Sequence, residues 1–201
     1  MTAPRQRFVG EICGFGTTDG HRFAIGNWTD TPFGQFADVM HETPGGHRTL
    51  FAPDERIATF VATTYNFDDV RLGPVGATRT PHRLAIVAPG FTADVTVGGR
   101  TRLGRLLHAI PARVATAPVW CTAIDPIARF SVRGVRTRGS AGHGRREWYG
   151  VTDQHAISAI HCVVDGQPLG DLADVWPPVT FGFSSTPRSP AIVSVTTTIV
   201  G

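Results

Sequence analysis

The chain has 201 residues, of which 41% are hydrophobic and 17% are charged, with 23 glycines and 15 prolines. This composition excludes a disordered chain and fits one globular domain rich in turns, which is typical of β-sheet proteins. All 19 basic residues are arginine. Chemistry that needs a lysine is therefore excluded, including imine formation with a carbonyl substrate, attachment of pyridoxal phosphate and the Gly-Lys-Ser phosphate loop.

The N-terminal residues contain no apolar run of the kind found in a signal peptide, and nowhere do about 18 apolar residues follow one another. We therefore expect a cytoplasmic protein that makes no membrane contact. Its three cysteines are far apart and form no Cys-x-x-Cys pair, so we interpret them as buried thiols.

Alternation of apolar and polar residues with a period of two predicts β-strands along most of the chain. It is clearest in residues 82–98, a predicted hairpin around the turn Pro89-Gly90, and in a closing strand from Ala191 to Ile199. Nine further strands are predicted at residues 7–15, 21–27, 33–41, 48–51, 69–75, 129–138, 147–151, 155–164 and 179–183. Their spacing predicts a mainly β (α+β) fold in a single domain, residues 1–201, built as an antiparallel β-barrel or a strongly curved sheet.

Two to three short helices are expected to cover this sheet. The first opens at Pro53 with Asp54 and Glu55 in its first turn, and its predicted buried side chains are Ile57, Phe60, Val61 and Tyr65. The second has an apolar stripe predicted to lie against the sheet, formed by Leu103, Leu106, Leu107 and Ile110. Residues 111–126 contain three prolines and are predicted to form short turns at one end of the sheet.

Residues 129–138 are rich in arginine. As a strand with a bulge at Gly134, this segment would place Arg129, Arg133, Arg136 and Arg138 on one face, which indicates either an anion-binding surface or a solvated strand. We do not expect nucleic acid as a partner, because no recognisable binding module accompanies the arginines and the candidates for base stacking are limited to Trp148 and Tyr149.

A second cluster of candidate residues follows. Asp153 precedes His155 by two residues and His161 shares the same predicted strand face, so Asp153 could orient His155 as a general base, or the three could bind a metal. Neither pattern is specific, and the histidines could equally be hydrogen-bonded members of a central strand. We predict no metal site and no cofactor.

The segment from Trp28 to Asp38 reads Trp-Thr-Asp-Thr-Pro-Phe-Gly-Gln-Phe-Ala-Asp. It resembles the early strand of acetoacetate decarboxylase-like proteins, which often read Ser/Thr-Pro, a hydrophobe, Gly-Pro-Tyr, one residue and Glu. Here Gln35, Phe36 and Asp38 replace the usual proline, tyrosine and glutamate. The resemblance implies a closed β-barrel with an apolar internal cavity and Asp38 at the pocket. The decarboxylating lysine of that family has no counterpart in this chain, which excludes decarboxylation through an imine.

The whole chain is also similar to a family of actinobacterial proteins of similar length. The resemblance rests on the segment Val-Arg-Thr-Arg-Gly-Ser-Ala-Gly at 135–142 and the segment Arg-Glu-Trp-Tyr-Gly at 146–150. It implies no particular activity.

These observations lead to three functional hypotheses. The first is a β-barrel-like protein that binds a small, largely apolar or amphipathic acid, with Arg138 at the anion and Trp148, Tyr149 and His161 as further ligand contacts. The second is a cofactor-independent lyase, isomerase or hydratase, with His155 as base, Asp153 orienting it, and Glu147 or Asp38 as acid. The third is an interaction protein that uses the arginine-rich face.

Overall fold

The computed structural model describes residues 5–131 and 135–201, and for residues 129–131 it describes the backbone alone. Within this part the chain forms thirteen strands and four helices. The strands are β1 (Arg5–Thr17), β2 (Arg22–Asp30), β3 (Phe36–Glu42), β4 (Arg48–Ala52), β5 (Asp69–Leu72), β6 (Gly76–Thr80), β7 (Arg83–Ala88), β8 (Phe91–Arg100), β9 (Arg138–Ser140), β10 (Arg146–Val164), β11 (Gln167–Pro168), β12 (Leu172–Ala173) and β13 (Ala191–Val200). The helices are α1 (Glu55–Ala62), α2 (Arg102–His108), α3 (Ala112–Ala115) and α4 (Pro118–Ser131). No helix in the described ranges combines the length and hydropathy needed to cross a bilayer.

Ten of the strands form one curled sheet in the order β5-β4-β3-β2-β1-β13-β10-β8-β7-β6, and β9, β11 and β12 pair at its margins. All neighbouring strands are antiparallel except β4 and β5. This confirms the predicted mainly β fold with a strongly curved sheet and a few covering helices. The sheet is an open half-barrel, because β5 and β6 are its edges and do not pair with each other. The closed barrel implied by the family resemblance is therefore not formed.

The two faces of the sheet bury different sets of side chains, since successive residues of a strand point to opposite sides. On one face, which we call the first core, Phe15, Phe23, Phe51 and Phe91 pack with aliphatic side chains of β7 and β8. Each of these phenylalanines is almost completely buried, which stabilises the fold by about 1.5–3 kcal/mol per side chain. The opposite face is covered by α1 and by the long connection between β12 and β13.

Most predicted strands are confirmed, including the hairpin of β7 and β8 and the closing strand β13. The strands predicted at 147–151 and 155–164 are one 19-residue strand, β10, whose register shifts near Val151 and Ile157. The strand predicted at 179–183 is absent, because these backbone amides bond to side chains instead. The amide of Val179 donates to Ser185 Oγ at 3.2 Å, and that of Thr180 donates to Glu42 Oε2 at 2.8 Å.

The prediction for residues 111–138 is wrong in two respects. Most of the segment 111–126 is helical, since Pro111 occupies the N-cap position of α3 and Pro118 the first position of α4, where a missing N–H costs nothing, although Pro126 lies inside α4. The strand predicted at 129–138 is replaced by the end of α4 and by β9, so the four arginines do not share a strand face. The predicted bulge at Gly134 and the side chains of Arg129 and Arg133 lie outside the described residues.

The prediction for α2 is correct in position but wrong in orientation. Its leucine stripe does not point into the protein, since Leu103 is 36% exposed and Leu106 is 68% exposed. The buried residue of α2 is Gly104. At Gly104 the helix approaches the carbonyl oxygen of Gln154 on β10 so closely that a Cβ atom would lie within 3.0 Å of it. The close backbone approach, rather than the leucines, positions this helix.

Candidate functional site

A cavity of about 150 Å³ lies on the face of the sheet opposite the first core. Its walls come from alternate residues of β1, β2, β3, β10 and β13 and from residues of α1 and 179–187. Most of the lining is apolar, and its large side chains are Phe8, Ile12, Phe36, Met40, Phe60, Val193, Val195, Ile199 and Phe181. Inside this apolar wall lie a few polar groups, which is the usual composition of a small-molecule site.

Glu147 is the most deeply buried of these polar groups, with 0% of its surface exposed. Its Oε1 atom accepts a hydrogen bond of 2.7 Å from the hydroxyl of Tyr65, which is itself 2.8 Å from the hydroxyl of Tyr149. Because each hydroxyl has one proton, Tyr149 must donate to Tyr65 when Tyr65 donates to Glu147. The other carboxyl oxygen of Glu147, Oε2, has no hydrogen-bond partner among the residues described.

Burial raises the pKa of Glu147 to about 7, although interactions with the hydroxyl groups of Tyr65 and Tyr149 and with the charge of Arg145 oppose the shift. Burial also raises the pKa values of Tyr65 and Tyr149 well above the ordinary value, and the negative charge of Glu147 adds to this effect. The two hydroxyls therefore stay protonated at any physiological pH. Glu147, in contrast, exchanges its proton near neutrality.

Asp38 is the second carboxyl group of the cavity and is 2% exposed. Its Oδ1 atom accepts a hydrogen bond of 2.8 Å from the indole Nε1 of Trp28. This hydrogen bond requires a glycine at position 26, because a Cβ atom there would lie within 3.0 Å of both Trp28 Nε1 and Asp38 Oδ1. Burial raises the pKa of Asp38 to about 7, and the hydrogen bond from Trp28 opposes the shift only in part.

The curl of the sheet brings the two carboxyl groups to one cavity. Asp38 is on β3 and Glu147 is on β10, with β2, β1 and β13 between them. Four strand spacings would separate them by about 19 Å in a flat sheet. In the curled sheet both line the same cavity, and the charge of Asp38 contributes to the raised pKa of Tyr149.

The cavity has a mouth formed by residues that also line a second, more open pocket of about 370 Å³. Residues shared by the two pockets are Val135, Arg136, Val179, Gly182, Ser184 and Ser185. The Arg136 side chain is exposed and forms no ion pair with any residue in the described ranges. The residues at the entrance of an otherwise acidic and apolar cavity therefore include an arginine.

Three of the four predicted ligand contacts, Arg138, Trp148 and His161, lie outside the cavity lining. The Arg138 side chain is 51% exposed and its Nε atom lies 3.8 Å from Asp125 Oδ2. Trp148 donates a 3.0 Å hydrogen bond from Nε1 to Thr122 Oγ1 and thereby fixes α4 to β10. Tyr149, the fourth predicted contact, does line the cavity.

The predicted cluster of Asp153, His155 and His161 also lies away from the cavity lining. Asp153 accepts hydrogen bonds of 2.9 and 2.8 Å from Arg100, and its pKa is lowered because these bonds and a backbone amide outweigh the effect of burial. His155 Nε2 is 3.7 Å from Asp153 Oδ2, and His161 is exposed further along β10. Over the described residues no group of three or more His, Cys, Asp or Glu side chains has a metal-binding arrangement.

The sequence does not predict that Trp28, Tyr65 or Arg136 lines the cavity. Tyr65 was predicted to be buried by the first helix, and the signal for its role is that a buried tyrosine hydroxyl needs a hydrogen-bond partner. Arg136 was recognised only as one of several arginines. Its position at the mouth depends on how residues 135–137 meet residues 184–187, which no local pattern encodes.

No family model matches the chain, and no curated protein matches it. Among solved structures, the chain is similar to the crystal structure of acetoacetate decarboxylase from Legionella pneumophila subsp. pneumophila str. Philadelphia 1, with a TM-score of 0.45 and 9% sequence identity. The match covers 98% of this chain and 85% of that chain. Acetoacetate decarboxylase-like proteins are also the class that the segment from Trp28 to Asp38 resembles.

Proposed function

We propose that this protein binds a small, largely apolar molecule that carries an anionic group. The apolar part occupies the cavity, and the anionic group lies at the mouth beside Arg136. The observation that supports this proposal is an apolar cavity of about 150 Å³ whose entrance holds an arginine without a carboxylate partner in the described part of the chain.

The size and charge of the cavity restrict the ligand. A cavity of about this volume holds a molecule of the size of benzene. The anionic group belongs at the mouth, since the buried carboxyl groups of Asp38 and Glu147 would repel an anion at the inner end. Hydroxyl groups of Thr186 and Thr197 also line the cavity and lack hydrogen-bond partners in the described structure, so the ligand also meets polar atoms there.

Thermal-shift and native mass spectrometry measurements with benzoate test this proposal. We expect benzoate to raise the melting temperature and to give a one-to-one complex, because only the folded state has the cavity. The variant Arg136→Gln should bind benzoate about tenfold to 100-fold more weakly, since a charge-assisted hydrogen bond is lost. Benzyl alcohol, which has the same ring without the charge, should bind both proteins equally.

The matched control is Arg102→Gln, which removes an exposed arginine of α2 and should leave benzoate binding unchanged. Absence of a bound molecule and of any thermal shift across benzoate, pentanoate and longer or branched acids would contradict the proposal. Equal weakening of benzoate binding by both arginine substitutions would show that net charge, rather than the mouth of the cavity, attracts the anion.

A further inference from the structure

The carboxyl group of Glu147 is held in an arrangement that structural stability alone does not require. One oxygen atom, Oε1, is fixed by Tyr65, while Oε2 has no hydrogen-bond partner within the described residues although the side chain is 0% exposed. An unsatisfied buried acceptor costs about 1–3 kcal/mol, and more when it is charged. Such groups in a native fold call for an explanation, and in a cavity the explanation can be contact with a ligand.

We propose, building on the binding function above, that the cavity catalyses proton transfer at a carbon atom beside a ketone carbonyl, with Glu147 Oε2 as the base and Asp38 as the acid. The substrate class is a small, enolisable ketone. Both groups line the same cavity, whose volume of about 150 Å³ suits a molecule of the size of benzene.

The reaction needs no further reactant. The carbon–hydrogen bond beside the carbonyl breaks, its proton passes to Glu147 Oε2, and its electron pair forms the carbon–carbon double bond of the enol. The π electrons of the carbonyl move to its oxygen atom, which takes the proton of the Asp38 carboxyl. In deuterium oxide the proton on Glu147 is replaced by a deuteron from solvent. In the reverse direction the enol hydroxyl returns its proton to Asp38, and Glu147 delivers the deuteron to the same carbon, which is isotope exchange, or to a conjugated carbon, which isomerises the substrate.

The hydrogen bonds assign the two roles. Glu147 is stabilised as a carboxylate by the chain from Tyr149 through Tyr65, and by the charge of Arg145. Asp38 receives only the hydrogen bond from Trp28, so it keeps its proton more readily. With both pKa values near 7, the state with one proton on the pair is well populated at neutral pH, which suits acid–base catalysis.

Deuterium exchange into levulinate tests the inference. Levulinate is a small keto acid, and loss of the proton signals beside its ketone in deuterium oxide is followed by NMR. Pentanoate, which has the same chain without the ketone, reports binding alone. We expect the wild-type protein to accelerate exchange, and Glu147→Gln to slow it about 100-fold or more while pentanoate binding is retained.

The matched control is Glu11→Gln, which removes a carboxylate paired with Arg79 outside the cavity lining and should leave the exchange rate unchanged. The wild-type rate should rise as Glu147 ionises and fall as Asp38 loses its proton, which gives a maximum near about pH 7. The charged and titratable groups that act on Glu147 are Tyr65, Tyr149 and Arg145, and Asp38 lines the same cavity. If Glu147→Gln does not fold, the pH dependence of the exchange rate still tests the catalytic inference in wild-type protein. A wild-type rate without a maximum near about pH 7 would contradict it.

Failure of the catalytic inference and failure of the binding proposal give different results. Binding of levulinate and pentanoate without accelerated exchange would overturn the catalytic inference and leave the binding function intact. Exchange at the wild-type rate in folded Glu147→Gln protein would also overturn it. Absence of binding by both acids would contradict the binding function itself.

Discussion

Asp38 and Glu147 are ionisable groups that the fold places where ionisation is unfavourable. The pKa of each is raised to about 7, mainly because burial removes the carboxylate from water. The unfolded chain holds the same carboxyl groups at their ordinary pKa values near about 4. Between about pH 4 and pH 7 the folded protein therefore binds more protons than the unfolded chain, so each group's contribution to stability is lost as the pH rises through this interval.

Removal of the Asp38 charge should change this pH dependence. In Asp38→Asn the side chain can still accept the hydrogen bond from Trp28 but cannot ionise. We expect the free energy of unfolding of the variant, relative to wild type, to increase by about 3 kcal/mol from about pH 5 to about pH 8. Urea denaturation at a series of pH values measures the difference.

Asp94→Asn is the control for this prediction. The pKa of Asp94 is lowered by its hydrogen bonds with Arg83, so its contribution to stability is lost only in acid, and the difference from wild type should be constant between about pH 5 and about pH 8. A difference between Asp38→Asn and wild type that is equally constant would show that Asp38 is ionised in the folded protein at both pH values.

At the scale of elements, α2 shows how tertiary contacts override a clear sequence pattern. The stripe from Leu103 to Ile110 predicts a buried face, yet Gly104 is the residue that packs against β10. Glycine here costs helix propensity but permits the backbone of α2 to approach the carbonyl of Gln154. The leucines are left on the exposed side.

Gly104→Ala should destabilise the protein although alanine is the better helix former. Alanine gains about 1 kcal/mol of helix propensity, but its Cβ atom would press against the Gln154 carbonyl, and such overpacking costs about 1–3 kcal/mol. Because a backbone carbonyl on a central strand cannot move freely, we expect a net loss of stability in chemical denaturation. Leu106→Ala, which truncates a side chain that is 68% exposed, should change stability by less than about 0.5 kcal/mol. A larger loss of stability in Leu106→Ala than in Gly104→Ala would mean that the leucine stripe, rather than Gly104, packs α2 against the sheet.

The elements that could be predicted are those with local signals. Period-two alternation located most strands and the hairpin of β7 and β8. The helix predicted to open at Pro53 begins at Glu55, and Asp54 is its N-cap residue, whose side chain accepts a hydrogen bond from the amide of Ile57. The sequence does not predict α4, because prolines usually interrupt helices, whereas Pro118 occupies the first helical position.

The site was predicted only in part, for a similar reason. Asp38, Glu147 and Tyr149 were named, but sequence proximity grouped Glu147 with Asp153 and His155. In β10 the register shift between Val151 and Asp153 separates these residues from the cavity. The curl of the sheet across five strands determines which carboxyl groups line one cavity. Local sequence patterns do not predict this curl.

The whole molecule is organised around one sheet that buries both of its faces. The first strand, β1, and the last, β13, pair at the middle of the sheet, and β10 lies beside β13. On these central strands alternate residues enter the first core and the cavity wall, so that Ile192 lies in the first core and Val193 and Val195 line the cavity. Side chains of the first core therefore serve as an internal control in any experiment that detects a ligand through the residues of the cavity wall.

Methyl NMR during titration with benzoate shows whether the cavity is the binding site. We expect shifts of the methyl signals of Met40, Val195 and Ile199, which line the cavity, and no shifts for Ile25 and Leu84 in the first core. Shifts confined to the first core, or to the exposed side chains of α2, would place the ligand elsewhere and contradict binding in the cavity.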